Sequence, residues 1–134
     1  MKKFIKDTGV SSQIDNPGIY VNAGKKVTID GVTFDGGMNF GILAETGSGS
    51  IINIKNSVFK GINIGVYFNN NASGIIENNE FDTMEYAAIG IDSDGVVKIN
   101  NNTIKKSPIG LEIFGDNTTY SGNTFTDVDT HIKN

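Results

Sequence analysis

The sequence predicts a right-handed parallel β-helix, an all-β solenoid of about five coils with three short strands in each coil. Three features of the 134 residues carry that expectation: two motifs that recur together, a period-two alternation inside every copy, and a column of Gly and Asn at one fixed place.

The first motif reads Gly18-Ile19-Tyr20-Val21, Gly41-Ile42-Leu43-Ala44, Gly65-Val66-Tyr67-Phe68, Gly90-Ile91-Asp92-Ser93 and Gly110-Leu111-Glu112-Ile113. The second runs from Ile29 to Phe34, Ile54 to Phe59, Ile76 to Phe81, Ile99 to Ile104 and Tyr120 to Phe125. Its closing residue recurs at intervals of 25, 22, 23 and 21, the jitter expected of loops of unequal length between strands of fixed length. Alternating pairs such as Ile19/Val21, Val27/Ile29 and Val32/Phe34 mark three strands per copy, and no segment has the length and period of an interior helix.

One coil cannot bury its apolar row, whereas coils stacked at about 4.8 Å set like residues against like and close a core. The expected columns are Ile19/Ile42/Val66/Ile91/Leu111, Ile29/Ile54/Ile76/Ile99/Tyr120 and Phe34/Phe59/Phe81/Ile104/Phe125. Between the second and third strands stands Gly31, Asn56, Asn78, Asn101 and Gly122, the two residue types that enter the left-handed backbone region most cheaply. The residues after them, Val32, Ser57, Asn79, Asn102 and Asn123, point inward by alternation, and the amides of the last three are expected to form an internal asparagine ladder. Residues 17–134 form the solenoid in this reading, with 1–16 as an N-terminal partial coil or cap.

Composition narrows the function classes. With 37% hydrophobic and 19% charged residues the chain is a folded domain. The net charge is −4, Arg is absent and the Lys residues form no stripe, so a nucleic-acid partner is not expected. The absence of Cys excludes disulfides and thiolate metal sites. After Met1-Lys2-Lys3-Phe4-Ile5-Lys6 comes Asp7-Thr8-Gly9 where a signal peptide needs an apolar stretch, and no membrane partner is expected.

The Gly-Ile-x-Val and Ile-x-Asn-Asn-x-Phe/Ile grammar resembles the parallel β-helix repeat of the pectate-lyase-like superfamily, which includes polygalacturonases, polysaccharide epimerases, periplasmic NosD-type proteins and phage tailspikes. The resemblance covers residues 17–134. It implies the fold, an extracellular or particle-surface setting and a polysaccharide or oligosaccharide partner lying along the first sheet. The chain departs from the enzymes of that superfamily: the basic residue beside calcium in the lyases has no Arg to supply it, and the Gly-His-Gly and Arg-Ile-Lys segments of the polygalacturonases do not occur.

On the first strand, alternation places Tyr20, Leu43, Tyr67, Asp92, Glu112 and Lys133 in one outward column, with Asn22, Glu45, Asn69, Asp94 and Phe114 in the next. Tyr20 and Tyr67 are candidates for stacking on sugar rings. Asp92, Asp94 and Glu112 are candidates for a carboxylate pair in glycoside hydrolysis, for a Ca²⁺ site, for hydrogen bonds to sugar hydroxyls, or for an ordinary solvated face. Glu112 is expected about 4.8 Å from Asp92 on the neighbouring coil. His131, the one histidine, is read as flexible or structural and not as catalytic. No resident metal or cofactor is otherwise implied. The leading expectation is a carbohydrate-directed module that binds, or helps to process, an extracellular polysaccharide. Its alternatives are a structural segment of an adhesin, spike or tail fibre, which contacts itself or neighbouring β-helix segments through open solenoid ends, and an autonomous hydrolase or lyase.

Overall fold

The computed structural model describes residues 3–5, 17–22, 26–46 and 50–134. The strands are β1 (Lys3–Ile5), β2 (Pro17–Val21), β3 (Lys26–Asp30), β4 (Val32–Asp35), β5 (Phe40–Thr46), β6 (Ile51–Lys55), β7 (Val58–Asn70), β8 (Gly74–Glu77), β9 (Glu80–Ser93), β10 (Val97–Asn100), β11 (Thr103–Ile113), β12 (Thr118–Ser121) and β13 (Thr124–Lys133). Every strand pairing is parallel, and no helix occurs among the described residues. One sheet has the order β12-β10-β8-β6-β3, and the other runs β1-β4-β7-β9-β11-β13 with β2 and β5 attached to it through β7. The chain is therefore a parallel β-helix of about five turns, in which β7, β9, β11 and β13 each run through two sides of a coil. The expected cap at 1–16 lies outside the described residues except for β1, which pairs with β4.

Two of the three expected columns occur in the register read, although Tyr120, expected at the end of one, is 45% exposed and lies outside the core, which that column leaves at Ile99. Ile29, Ile54, Ile76, Ile99 and Tyr120 are in register, as are Phe34, Phe59, Phe81, Ile104 and Phe125. The rings of Phe34, Phe59 and Phe81 stack at 4.6 Å within 7° of parallel, and all three are fully buried. Such close stacking leaves no room for a Cβ at the start of the first strand. A methyl at Gly41 would stand 2.7 Å from the Phe59 ring, at Gly65 2.5 Å from Phe81, and at Gly110 2.5 Å from Phe125.

The third column needs correction in the fourth coil. Val66 and Leu111 both pair with Ile89, not Ile91, which instead joins Phe68 and Ile113. The column is Ile19, Ile42, Val66, Ile89, Leu111 and Ile132. The residue ahead of Ile89 is Ala88, not a glycine, and the aromatic column in the following coil holds Ile104 in place of a ring. Gly90 thus resembles the glycine of the motif but sits two positions beyond it. Phe34 and Phe81 precede their core partners Ile42 and Ile89 by eight residues, whereas Phe59, Ile104 and Phe125 precede theirs by seven. The extra residue shows as a register shift between Ile62 and Ile64 and between Lys105 and Ile109 against β9.

Two of the three corners of the coil are built on left-handed residues in every turn. The expected one has φ of 71° at Gly31, 53° at Asn56, 56° at Asn78, 57° at Asn101 and 70° at Gly122. A second lies two residues after each Phe-column member, at Gly36, Gly61, Thr83, Lys106 and Asp127, with φ from 56° to 67°. Beside the first corner the ladder forms as expected. The Nδ2 of Asn79 donates to Asn102 Oδ1 (3.0 Å) and to the Ile54 carbonyl (3.1 Å), and Asn102 Nδ2 donates to Asn123 Oδ1 and to the Ile76 carbonyl, both 3.0 Å. Asn79 Oδ1 in turn accepts from the Ser57 amide, and Ser57 Oγ from that of Val32.

Asn102 is fully buried, so Asn102→Leu is expected to leave Asn79 without its partner and to cost about 2–4 kcal/mol in urea unfolding, with a much smaller loss for Asn100→Leu. At the corners, Asn78→Val is expected to cost about 1–2 kcal/mol more than Asn78→Gly. Thr83, β-branched at φ 62°, should gain stability on replacement by Gly, read as a rise in melting temperature.

Candidate functional site

The outer face of the strand segments β2, β5 and the second halves of β7, β9 and β11 holds the candidate residues. Tyr20 pairs with Leu43 and Leu43 with Tyr67 in one outward column, as expected, and Tyr67 then pairs with Gly90, Gly90 with Glu112, and Glu112 with Lys133. Asp92 is not in this column. It pairs with Asn69, which pairs with Glu45, so the second column reads Glu45, Asn69, Asp92. Asp92 and Glu112 are offset by two residues along the strand as well as by one coil, about 8 Å at Cα instead of 4.8 Å. Asp94 lies past the end of β9 in the turn, where its amide donates to the Asn70 carbonyl and its carbonyl accepts from Asn117. The expected trio Asp92, Asp94 and Glu112 is split, because the motif glycine was read at Gly90 where the structure has Ala88, two residues earlier, so that Gly90 takes the position read as Asp92.

What the face assembles is a set of phenol–carboxylate pairs. The Tyr20 hydroxyl donates to Glu45 Oε1 at 3.0 Å, and Asn69 Nδ2 donates to the other Glu45 oxygen at 3.3 Å. The Tyr67 hydroxyl donates to Asp92 Oδ2 at 3.5 Å. Its ring passes over Gly90, where a Cβ would stand 2.8 Å from the ring edge, and lies 5.7 Å from Phe40. Gly90 is what allows Tyr67 to recline across the next coil. Leu43 points outward in register yet is only 3% exposed.

A third pair was not visible in the sequence. Tyr86, inside the irregular stretch of β9, donates to Glu112 Oε2 at 2.6 Å, and Lys133 Nζ approaches the same oxygen at 3.4 Å. The side chain of Glu112 is 9% exposed, so this carboxylate is a buried acceptor held between a phenol and an ammonium, not a solvated acid. Alternation cannot place Tyr86, since the alternation breaks where the extra residue enters.

The environment raises two phenol pKa values above the ordinary 10.0. For Tyr67 the main cause is burial, followed by the negative charge of Asp92 and the hydrogen bond to it. For Tyr86 it is the hydrogen bond to Glu112, followed by burial. A raised folded-state value means that the native protein holds these protons more tightly than the unfolded chain does. The stabilisation is complete below pH 10 and is lost as pH climbs through the folded values.

A depression of about 340 Å³ lies on the outer face of the other sheet. It is lined by Lys26, Ile51, Asn53, Ser73, Val96 and Lys98 among others. It contains none of the expected site residues.

An all-parallel ladder with stacked core columns and an aromatic, carboxylate-bearing outer face defines the chain as a parallel β-helix solenoid module. The model of one family, described as periplasmic copper-binding protein (NosD), matches residues 5–133, and the chain belongs to that family. No curated protein and no solved structure matches it.

Copper favours thiolate, thioether and imidazole ligands. The chain has no Cys, and its one histidine, His131, stacks on Phe125 at 4.4 Å and 13°. Met38 and Met84 are core residues, 6% and 4% exposed. No group of three or more His, Cys, Asp or Glu that could hold a metal occurs among the described residues. These residues do not fit a copper centre.

Spectrophotometric titration of tyrosinate should resolve two phenols above the ordinary range. Glu112→Gln is expected to bring Tyr86 back towards 10.0, while Asp92→Asn lowers Tyr67 only in part, because its burial remains.

Proposed function

We propose that this protein is a carbohydrate-directed β-helix module that binds an extended glycan along the outer face of its first-strand side. The observation that carries this reading is the pairing of reclined tyrosine rings with carboxylates in adjacent outward columns: Tyr20 with Glu45, and Tyr67 with Asp92. A flat aromatic face stacks against the C–H face of a pyranose, and a neighbouring carboxylate accepts hydrogen bonds from its hydroxyls. Tyr20 is 49% exposed, which leaves ring surface for a ligand.

The reading is one of binding. The expected acids Asp92 and Glu112 differ in exposure and partners, and Glu112 is already held by Tyr86 and Lys133. They therefore do not form a matched pair facing one space in which a glycosidic bond would be cut. Asp94, in the turn, lies outside the site.

A glycan array probed with the labelled protein tests the proposal directly. Discrete hits are expected, and Tyr20→Ala or Asp92→Asn should weaken them about five- to hundredfold with little change in melting temperature. An array without hits, at a concentration that detects weak lectins, would leave the structural solenoid segment as the reading.

A further inference from the structure

Over the first four coils the outer face repeats every second coil, not every coil. Tyr20 and Tyr67 occupy the same column two coils apart, and each reaches one coil onward and one column across to a carboxylate exactly 25 residues later, Glu45 or Asp92. The coil between them contributes Leu43, which is buried, and the coil after Tyr67 contributes Gly90, over which the ring lies. The bends of these four coils alternate likewise: those of Phe34 and Phe81 carry the additional residue and those of Phe59 and Ile104 do not.

We infer that this face is matched to an extended β-1,4-linked glycan of neutral, equatorially substituted sugars lying parallel to the solenoid axis, with alternate rings stacked on Tyr20 and Tyr67. The inference rests on the glycan-binding reading and names the ligand class. Two coil rises come to about 9.6 Å, close to the repeat of about 10 Å at which a β-1,4-linked chain presents the same ring face again. A ring on Tyr20 therefore carries the chain to a second ring on Tyr67 without bending. An α-1,4-linked chain curves and cannot satisfy both. The flanking column sets the charge preference, since Glu45 and Asp92 accept from hydroxyls but repel the carboxylates of a uronate chain.

The experiment compares cellohexaose with maltohexaose, the same sugar and length in the two linkages, by calorimetric titration of the full chain, with β-1,4-linked glucuronate oligomers of C6-oxidised cellulose as the acidic control. Cellohexaose is expected to bind about tenfold or more tightly than maltohexaose, and the glucuronate oligomers more weakly than cellohexaose. A second variant keeps the protein's ring count but breaks the spacing. Tyr67→Ala combined with Gly90→Tyr moves the second ring one coil further on, and this protein should lose the preference for cellohexaose. Circular dichroism and the melting temperature establish that the double variant folds, and Tyr20→Ala, at a half-exposed position, provides the same loss where it does not. Equal binding of the two hexaoses, or an unchanged preference in the double variant, overturns the match while leaving the glycan-binding reading in place. Binding of no hexaose together with an array free of hits removes both.

Discussion

Parallel backbone ladders hold each coil about 4.8 Å from the next, and every other feature of this protein follows from that spacing. A side chain here rests on the residue at the same position one coil away. Like must therefore tolerate like: Phe34, Phe59 and Phe81 do so by stacking, the Ile29 column by interlocking branched chains, and the interior amides by donating and accepting along the axis. Where a column member changes, its neighbours change with it. The glycine column next to the rings becomes Ala88 in the coil that is followed by Ile104 instead of a phenylalanine.

The asparagine pairs show how one short segment solves two problems. In Asn78-Asn79 and Asn101-Asn102 the first residue takes the left-handed backbone of the corner, and the second turns its amide inward. A buried amide costs free energy when unpaired, but each one here gives both hydrogens to acceptors and receives from the preceding coil. Ser57 and Val32 end the series towards the N-terminus, where Ser57 Oγ both accepts from the Val32 amide and donates to the Lys55 carbonyl.

The second and third strands of each coil were legible because a tight corner of constant length separates them, so that motif spacing and spatial register coincide. The first strand was less so. It follows the bend at Gly36, Gly61, Thr83, Lys106 and Asp127, where only two of five positions are glycine and where coils differ by one residue. Gly90 then imitated the motif glycine, which drew Asp92 into the wrong column and hid the pairing of Tyr67 with Gly90. The tyrosine column, Glu45 and the pairing of Glu112 with Lys133 survived that error. Tyr86 did not appear at all, since no periodic rule reaches into an irregular stretch. The burial of Glu112 depends on Tyr86 and Lys133 together, which no reading of its own strand would reveal.

The irregular stretch of β9 separates two kinds of change. On its N-terminal side Phe81 and on its C-terminal side Ile89 keep their places against both neighbouring coils, although the path between them is longer by one residue. The bend thus works as a shock absorber for length: a codon gained or lost there is taken up before the core resumes, while the side chains thrown outward, Tyr86 among them, are dealt anew. A solenoid of this kind can revise its exterior one coil at a time, by indels at the bend, and inherit an unaltered interior.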